Sequence, residues 1–599
     1  MSGAVVWVVW DAAPAWATAR LLAEGALPHL EALARDGVRA AARPVGPYCQ
    51  TPPCLATLFC GVGPREHGVQ GFVVPDGAPD RPVTATRSGF DRAVLRATPA
   101  WRRAAAAGLR VVAPFVPWTL PVDAGEPADR YLLLAAGYAD RITRGRTVKV
   151  AELEMPPAGN AGAAGAAGAR LVRIGPHACA VREEAGGLVV EAPAGGGRLA
   201  LDAEDGRRGG GDDWRRDALV LEPGVGVYAR AYRRPGDGAL MLAHSGAWRV
   251  AAHPAAAAGA LFAAAGPFCG EGLGGQYRVG GFGPRILDGG DGAAEALFVD
   301  SLAWCADYFA RAAAWAARAH DADLYVFYQP ATDDAGHELL GWCDPQSRCF
   351  RPEGAPALWE HVRRAFQFAD DGLGRVLDAF GPGAAVVVSS DHGMAGIGRT
   401  VLVNEALARA GLLSFTPDGQ VDLGATAALF HPAANCTVWV NTSDRPGGIV
   451  PPGRRQAVAA EAARALGELR DPVDGRPVIA AIYPAGGAGD GEDGRWFAGD
   501  LFLVPADGFE LRADRGEAVV RPAQKSGHHL AVSGCASLEG VLFARGPGLG
   551  RGVDLGTISN RDVAPLVCRL LGIEPPHGGR GEPPCATRSS ATSTGATTT

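Results

Sequence analysis

Seven side chains in this sequence are of types that bind metals or attack electrophiles. They fall in five short motifs: Asp11, Thr51, Asp333 with His337, Asp391 with His392, and His529. Each stands at or near the end of an expected strand. Six are carboxylates and imidazoles, a donor set suited to two divalent cations. The seventh is a hydroxyl placed as a nucleophile, and that combination points to metal-assisted transfer at phosphorus.

Each motif also has a plainer reading. Asp11 follows an apolar run, where α/β sheets bind ligands, yet it could equally cap a helix beginning near Pro14. Thr51 precedes Pro52 and Pro53 and a helical stretch that Gly61 stops. Ordinary capping explains a threonine there, and the same geometry aims its hydroxyl at an anion held by free helix N–H groups. In Asp333-Asp334-Ala335-Gly336-His337, Gly336 is expected to turn the chain so that Asp333 and His337 meet one ion. Asp391-His392-Gly393 follows another apolar run, where a buried carboxylate and imidazole are costly unless a metal or charge network uses them. Gly527-His528-His529 offers two adjacent histidines, and both cannot serve one ion.

The elements that position these groups read as α/β. Apolar, Val-rich runs at 4–10, 109–116, 323–328, 384–389, 436–441, 500–504 and 540–544 predict buried parallel strands. Helical patterns lie between them. Val362, Phe366, Ala369, Leu373, Val376 and Phe380 recur at three- and four-residue steps before Gly381. From 145 to 290 the rhythm changes to short β-like runs at 147–150, 170–174, 188–191, 218–221, 225–232 and 239–243. The expected organisation is a discontinuous core of 1–144 and 291–578 with an inserted, mainly β subdomain at 145–290. An Ala/Gly stretch at 160–169 reads as a mobile loop, and the Ser/Thr-rich 579–599 as a disordered tail.

Composition narrows the class. With 599 residues, 47% hydrophobic and 20% charged, the chain is globular and large enough for several units. A net charge of −7 leaves no basic footprint for nucleic acid. Lysine occurs only at 149 and 525, a coding bias and not an arginine-based mechanism. The 12 cysteines contain no C-x-x-C pair, which suits small buried thiols in a reducing compartment. No leader-like or membrane-spanning segment is expected, so a cytoplasmic location follows. Oligomeric state is not legible.

In order, the motifs are Asp, Thr, D-x-x-G-H, D-H-G and G-x-H. The chain thereby resembles the type I phosphodiesterase and nucleotide pyrophosphatase family of the alkaline phosphatase superfamily. LPHLEALARDGV, TPP with GVGPREHGV, YQPATDDAGH, VVVSSDHGM, GHHLAVSG, VLFARGPG and DVAPLVCRLLG carry the resemblance. Gly61 stands ten residues after Thr51, and Gly546 seventeen after His529, both family spacings. The second spacing selects His529 over His528.

The resemblance implies an alkaline-phosphatase-like core with a mostly parallel sheet flanked by helices. It implies two zinc ions, manganese being the lesser option. Asp11, Thr51, Asp391 and His392 would hold one, and Asp333, His337 and His529 the other. Thr51 would attack phosphorus and become phosphorylated. The substrate would be small and phosphorylated, with nucleotides among the candidates and phosphodiester or pyrophosphate bonds as targets. A phosphomonoesterase or phosphonate hydrolase with the same site is the alternative, and a catalytically dead binding protein the remote one. The chain departs from the family at Ala12, usually Gly, and at Cys54, where an Asn usually contacts phosphate. His67 reads as structural and Lys525 as a surface residue. Trp10, Trp16, Tyr48 and Phe72 could stack on a base or fill the core.

Overall fold

A computed structural model describes residues 3–155, 169–201, 214–433, 435–486, 496–532 and 534–576. The expected tail at 579–599 and nearly all of the loop at 160–169 lie outside these.

Nine strands form the main sheet: β1 (Val5–Trp10), β2 (Val38–Arg43), β3 (Val111–Pro114), β4 (Tyr131–Thr143), β5 (Ala247–His253), β6 (Leu324–Gln329), β7 (Ala385–Ser390), β8 (Gly540–Arg545) and β9 (Val553–Ser559). Their order is β5-β4-β3-β6-β1-β7-β8-β2-β9. The four joins from β4 to β7 are parallel. Antiparallel joins enter at β5 on one side and around β8 on the other. The result is a mixed sheet with a parallel centre.

Strand β1 shows why the centre reads as an unbroken apolar run. Val5, Trp7 and Val9 enter one apolar cluster with Leu55, Phe59 and Trp101, while Val6, Val8 and Trp10 enter the other. All six residues are buried, because helices cover both faces. Helix α1 (Thr51–Cys60) packs on the first face. Helices α2 (Ala293–Ala319) and α4 (Ala355–Phe380) cover the second, and α3 (Ala331–Glu338) follows β6 directly. Burial of this much aliphatic and aromatic surface, at roughly 25 cal/mol per Å2, is the main force holding the layers together.

Three expected strands run differently from their prediction. Residues 437–440 and 501–505 belong to a separate antiparallel four-stranded sheet, and β8 runs antiparallel to β7. Burial on both faces produces an apolar run whatever the strand direction, so periodicity could not tell them apart.

Within 145–290, two four-stranded antiparallel sheets share one apolar cluster, including Val172, Leu188, Leu219, Val227 and Leu242. They occupy residues 146–244. Ala247–His253 then rejoins the main sheet as β5, and helix Ala257–Ala265 packs on α2. Both β4 and β5 carry many half-exposed residues, which is why their strand pattern is weak in sequence.

Candidate active site

The register of three neighbouring strands sets the site. Trp10 pairs with Gln329 on one side and Ser390 on the other, all parallel. The next residues therefore leave the sheet at one level, beyond its carboxyl edge. Asp11 follows β1, α3 starts after β6, and Asp391-His392 follows β7.

Two further segments close the site. Cys49 and Val532 pair with Leu530 and Pro47 through backbone hydrogen bonds of 2.9 Å each, which brings His529 beside the start of α1. Gly527–His528 pairs with Ala395 and Gly396, just after His392. Thr51 is the first residue of α1 and Gln50 holds the cap position without a side-chain bond to the helix, so Thr51 is not the cap that was expected. Gly61 ends that helix in the left-handed conformation, as expected. The segment 333–337 is helical, where a turn was expected. Asp333 and His337 thus share one face at the i, i+4 spacing. Gly336 serves a different purpose: a Cβ there would come within 2.9 Å of Met394.

The site residues fall into two groups whose donor atoms lie within 4.8 Å of one another: Asp11, Asp391 and His392, and Asp333, His337 and His529. In the first, His392 Nε2 is 3.5 Å from Asp11 Oδ1, 3.3 Å from Asp391 Oδ2 and 3.3 Å from Thr51 Oγ1. In the second, Asp333 Oδ1 is 3.5 Å from His337 Nε2 and 3.3 Å from His529 Nε2. The rings of His392 and His529 stack at 3.8 Å, joining the groups into one centre.

Hydrogen bonding prepares these atoms for a cation. The Nδ1 atoms of His337, His392 and His529 lie 2.8, 2.8 and 2.9 Å from the carbonyls of Gly527, Gly393 and Cys49. A carbonyl only accepts, so each Nδ1 carries a proton and each Nε2 is the ring nitrogen turned inward. The Nε2 atoms of His337 and His529 consequently face each other across 3.3 Å. Asp11 Oδ1, Asp333 Oδ1 and Asp391 Oδ2 are buried without a hydrogen-bond partner among the described residues. Three orphaned carboxylate oxygens facing imidazole lone pairs are unfavourable alone, and divalent cations would satisfy them all. The donors present fit such ions.

Electrostatics agree. Burial pushes the Asp11 carboxyl well up, and Asp391 and Asp333 add repulsion. Burial likewise raises Asp391. It pushes His337 down to about 3 and His392 well below its ordinary value, so both imidazoles are neutral, the ligating form.

Several anchoring residues escaped the sequence reading. The Tyr328 hydroxyl donates to Asp11 Oδ2, and Thr332 donates to the Asp11 carbonyl. Asp391 Oδ1 accepts from the amides of Ala12 (3.2 Å) and His392 (3.1 Å), and Asn560 donates to the Asp391 carbonyl at 3.2 Å. Only Tyr328 and Thr332, inside the YQPATDD run, had a sequence signal. Ala12 adopts φ 48°, a left-handed conformation that explains a preference for glycine there.

The remaining candidates have clear places. Cys54 is buried, its thiol 3.9 Å from the Tyr48 carbonyl and packed with Cys49 and Leu538. His528 Nδ1 accepts the His529 amide at 2.7 Å, and its Nε2 lies 3.4 Å from Glu510. His67 is fully buried between Thr57 Oγ1 (3.1 Å) and the Val69 amide (3.1 Å). Lys525 is half-buried, and its charge adds to the burial that lowers His337. Trp10 and Tyr48 are fully buried, Trp16 stacks on Trp359 at 5.8 Å, and Phe72 is exposed. No helix among the described residues is long and apolar enough to cross a membrane.

Comparison with known proteins follows the same lines. The model of the type I phosphodiesterase / nucleotide pyrophosphatase family matches residues 5–152 and 295–530. No curated protein matches the chain. Among solved structures, human ectonucleotide pyrophosphatase/phosphodiesterase 5 matches at 12% identity and a TM-score of 0.45, covering 96% of each chain. Its murine counterpart matches at 13% identity and 0.44, also over 96% of each chain, and so does an inactive variant of it in complex with AMP. The family match, which spans most of the chain and includes Asp11, Thr51, Asp333, His337, Asp391, His392 and His529, places this protein in the type I phosphodiesterase / nucleotide pyrophosphatase family of hydrolases.

Proposed function

We propose that this protein hydrolyses phosphodiester or nucleotide pyrophosphate bonds on a two-cation centre, with Thr51 as nucleophile. The supporting observation is the pair of donor groups that converge on orphaned oxygens with Thr51 Oγ1 beside them. Asp11, Asp391, His392 and Thr51 would hold one cation, and Asp333, His337 and His529 the other. Mixed nitrogen and oxygen donors favour zinc, with manganese second. When bound, the cations supply charge stabilisation for the oxygens at phosphorus and make a hydroxyl and a water better nucleophiles.

The chain's own residues do the rest. Thr51 sits at the N-terminus of α1, where the positive end of the helix dipole favours the phosphoryl oxygens although Pro52 and Pro53 offer no N–H and the Cys54 amide is held by the Gln50 carbonyl. Its Oγ attacks phosphorus in line, expelling the alcohol or phosphate leaving group and forming phospho-threonine. Water then cleaves that ester and restores the hydroxyl. Burial at 4% exposure keeps Thr51 from bulk water until substrate arrives. Thr51→Ala tests the assignment. Its fold should survive, since the N-cap is Gln50 and not Thr51, while turnover of p-nitrophenyl diesters should fall by about a thousandfold or more. Thr51→Ser should retain part of it. An undiminished rate in Thr51→Ala would remove the threonine from the mechanism. The ratio of diester to monoester turnover in the parent protein decides between the diesterase and phosphomonoesterase forms of the reaction.

A further inference from the structure

Two thiols bracket Thr51. Cys49 and Cys54 flank it in the run Cys-Gln-Thr-Pro-Pro-Cys. Gln50 holds the cap position of α1, so Cys49 stands just before the cap and Cys54 is the fourth helical residue. Side chains at those two positions pack together across a helix start, usually as a pair of apolar groups. Here the pair is sulfur on sulfur. Cys49 and Cys54 are 0% and 1% exposed, and their thiols are in hydrogen-bonding contact. With Leu538 they form a small cluster of their own, apart from the larger cores.

The backbone around the pair serves the candidate site. The Cys49 carbonyl lies 2.9 Å from His529 Nδ1, and its amide donates to the Leu530 carbonyl at 2.9 Å. The Cys54 amide donates to the Gln50 carbonyl at 3.1 Å, closing the first turn around Thr51. The Leu538 carbonyl accepts the Gly393 amide at 2.7 Å, just beyond His392. A change at the two sulfurs therefore reaches Thr51 and His529 through a few peptide groups.

A small reagent has a way in. His529, Leu530, Cys535 and Leu538 help to line a hollow of about 40 Å3, room for a water-sized molecule. Cys535 also lines a wider cavity of about 340 Å3 with Asp344, Ser347 and Asp507. It packs against the Cys49–Cys54 cluster and is the one partly exposed cysteine among the described residues.

We propose that Cys49 and Cys54 form an oxidisable dithiol that hydrogen peroxide closes to a disulfide across Thr51, arresting the site until the bond is reduced. One sulfur attacks a peroxide oxygen and the O–O bond breaks. This leaves a sulfenic acid, and the other oxygen departs as water with the thiol proton. The second sulfur attacks the sulfenic sulfur, the S–O bond breaks, and a second water leaves. Two thiols are oxidised by two electrons, and one peroxide is reduced to two waters. Sulfurs already in contact need little movement to reach the bond length of about 2 Å. The bond tightens the turn that carries Thr51 and shifts the carbonyl that orients His529. Burial pushes the Cys54 thiol up, which slows its attack and keeps the pair reduced until peroxide accumulates. The bridge is independent of the phosphoryl-transfer reading, and only its effect on turnover rests on that reading.

The test treats the full, metal-loaded chain with hydrogen peroxide and then removes the peroxide with catalase. Free thiols are alkylated with iodoacetamide after denaturation and mapped by mass spectrometry. The tryptic peptide Ala40–Arg65 carries Cys49, Cys54 and Cys60. After peroxide it should take up one alkyl group where the untreated peptide takes up three. Its mass should show the loss of two hydrogens, and fragmentation should place the link between 49 and 54. Diester turnover should fall about tenfold or more, and return to within about twofold on reduction by a phosphine with zinc present. In Cys49→Ser and in Cys54→Ser the link and the reversible part of the loss should both vanish, whereas Cys535→Ser should keep both. Three alkyl groups on the peptide after peroxide would overturn the proposal. So would a link to Cys60 or Cys535, a link that leaves turnover unchanged, or a reversible loss undiminished in the two serine variants. Mapping of the parent chain decides the matter even where a variant fails to fold. A 49–54 link in a chain that hydrolyses no phosphorus ester before oxidation would leave the dithiol standing and remove the phosphoryl-transfer reading instead.

Discussion

The two donor groups are built differently. Asp11, Asp391 and His392 hang directly from the ends of adjacent parallel strands and are almost wholly buried. Two carboxylates and one imidazole face each other there. Asp333, His337 and His529 come from a short helix and from a segment that pairs with the chain beyond His392. That group has one carboxylate and two imidazoles, with side-chain exposures of 18% and 13% at Asp333 and His337. The first group thus has more negative charge, less solvent and stiffer supports. It should hold its cation more tightly, while the second stays open for substrate and exchange.

The largest effect should follow from breaking the tighter group. Asp391→Asn keeps the shape and one acceptor for the Ala12 and His392 amides, but removes a ligand charge. Loss of a cation's charge stabilisation amounts to several kcal/mol, so kcat/KM should fall by about a thousandfold or more. A loss under about tenfold, read in the same diester assay, would show that the strand-end group is not the catalytic one.

A second effect separates neighbours in the open group. His529→Ala should lose one cation and most activity, whereas His528→Ala, whose ring faces Glu510, should stay within about twofold of the parent. The reverse result in paired metal titrations would move the ligand by one residue.

A smaller contrast concerns exchange. Stepwise chelation should remove the cations in two phases, the weaker from Asp333, His337 and His529. His529→Ala should then show the tight phase alone. A single phase in the parent protein, or the survival of the weak phase in the variant, would erase the difference between the groups.

The least effect is expected at Ala12. Relieving its φ of 48° by Ala12→Gly should raise stability by about 0.5–1 kcal/mol, the left-handed strain less the extra freedom of glycine when unfolded. Thermal unfolding would read it, and a lower melting temperature would mean that the methyl's packing matters more.

These contrasts bear on what the sequence made legible. Asp11, Asp391 and His392 were readable because each follows a β-branched, fully buried run, and a charge there demands a use. His529 needed the family spacing, since nothing local distinguishes it from His528. Tyr328, Thr332 and Asn560 act through contacts spanning hundreds of residues or only a hydroxyl's direction, and no periodicity encodes these. The same holds for fold. The parallel centre was evident from Val-rich runs, but the reversal at β8 and the return of 247–253 to the main sheet depend on tertiary pairing.

The central claim is that both groups hold divalent cations in one centre beside Thr51. Elemental analysis of the full chain, purified without chelator and assayed in parallel for diester hydrolysis, addresses it most directly. Close to two zinc or manganese ions per chain, falling to about one in His529→Ala, is the expected result. A metal-free protein that retains its hydrolytic activity would contradict the account.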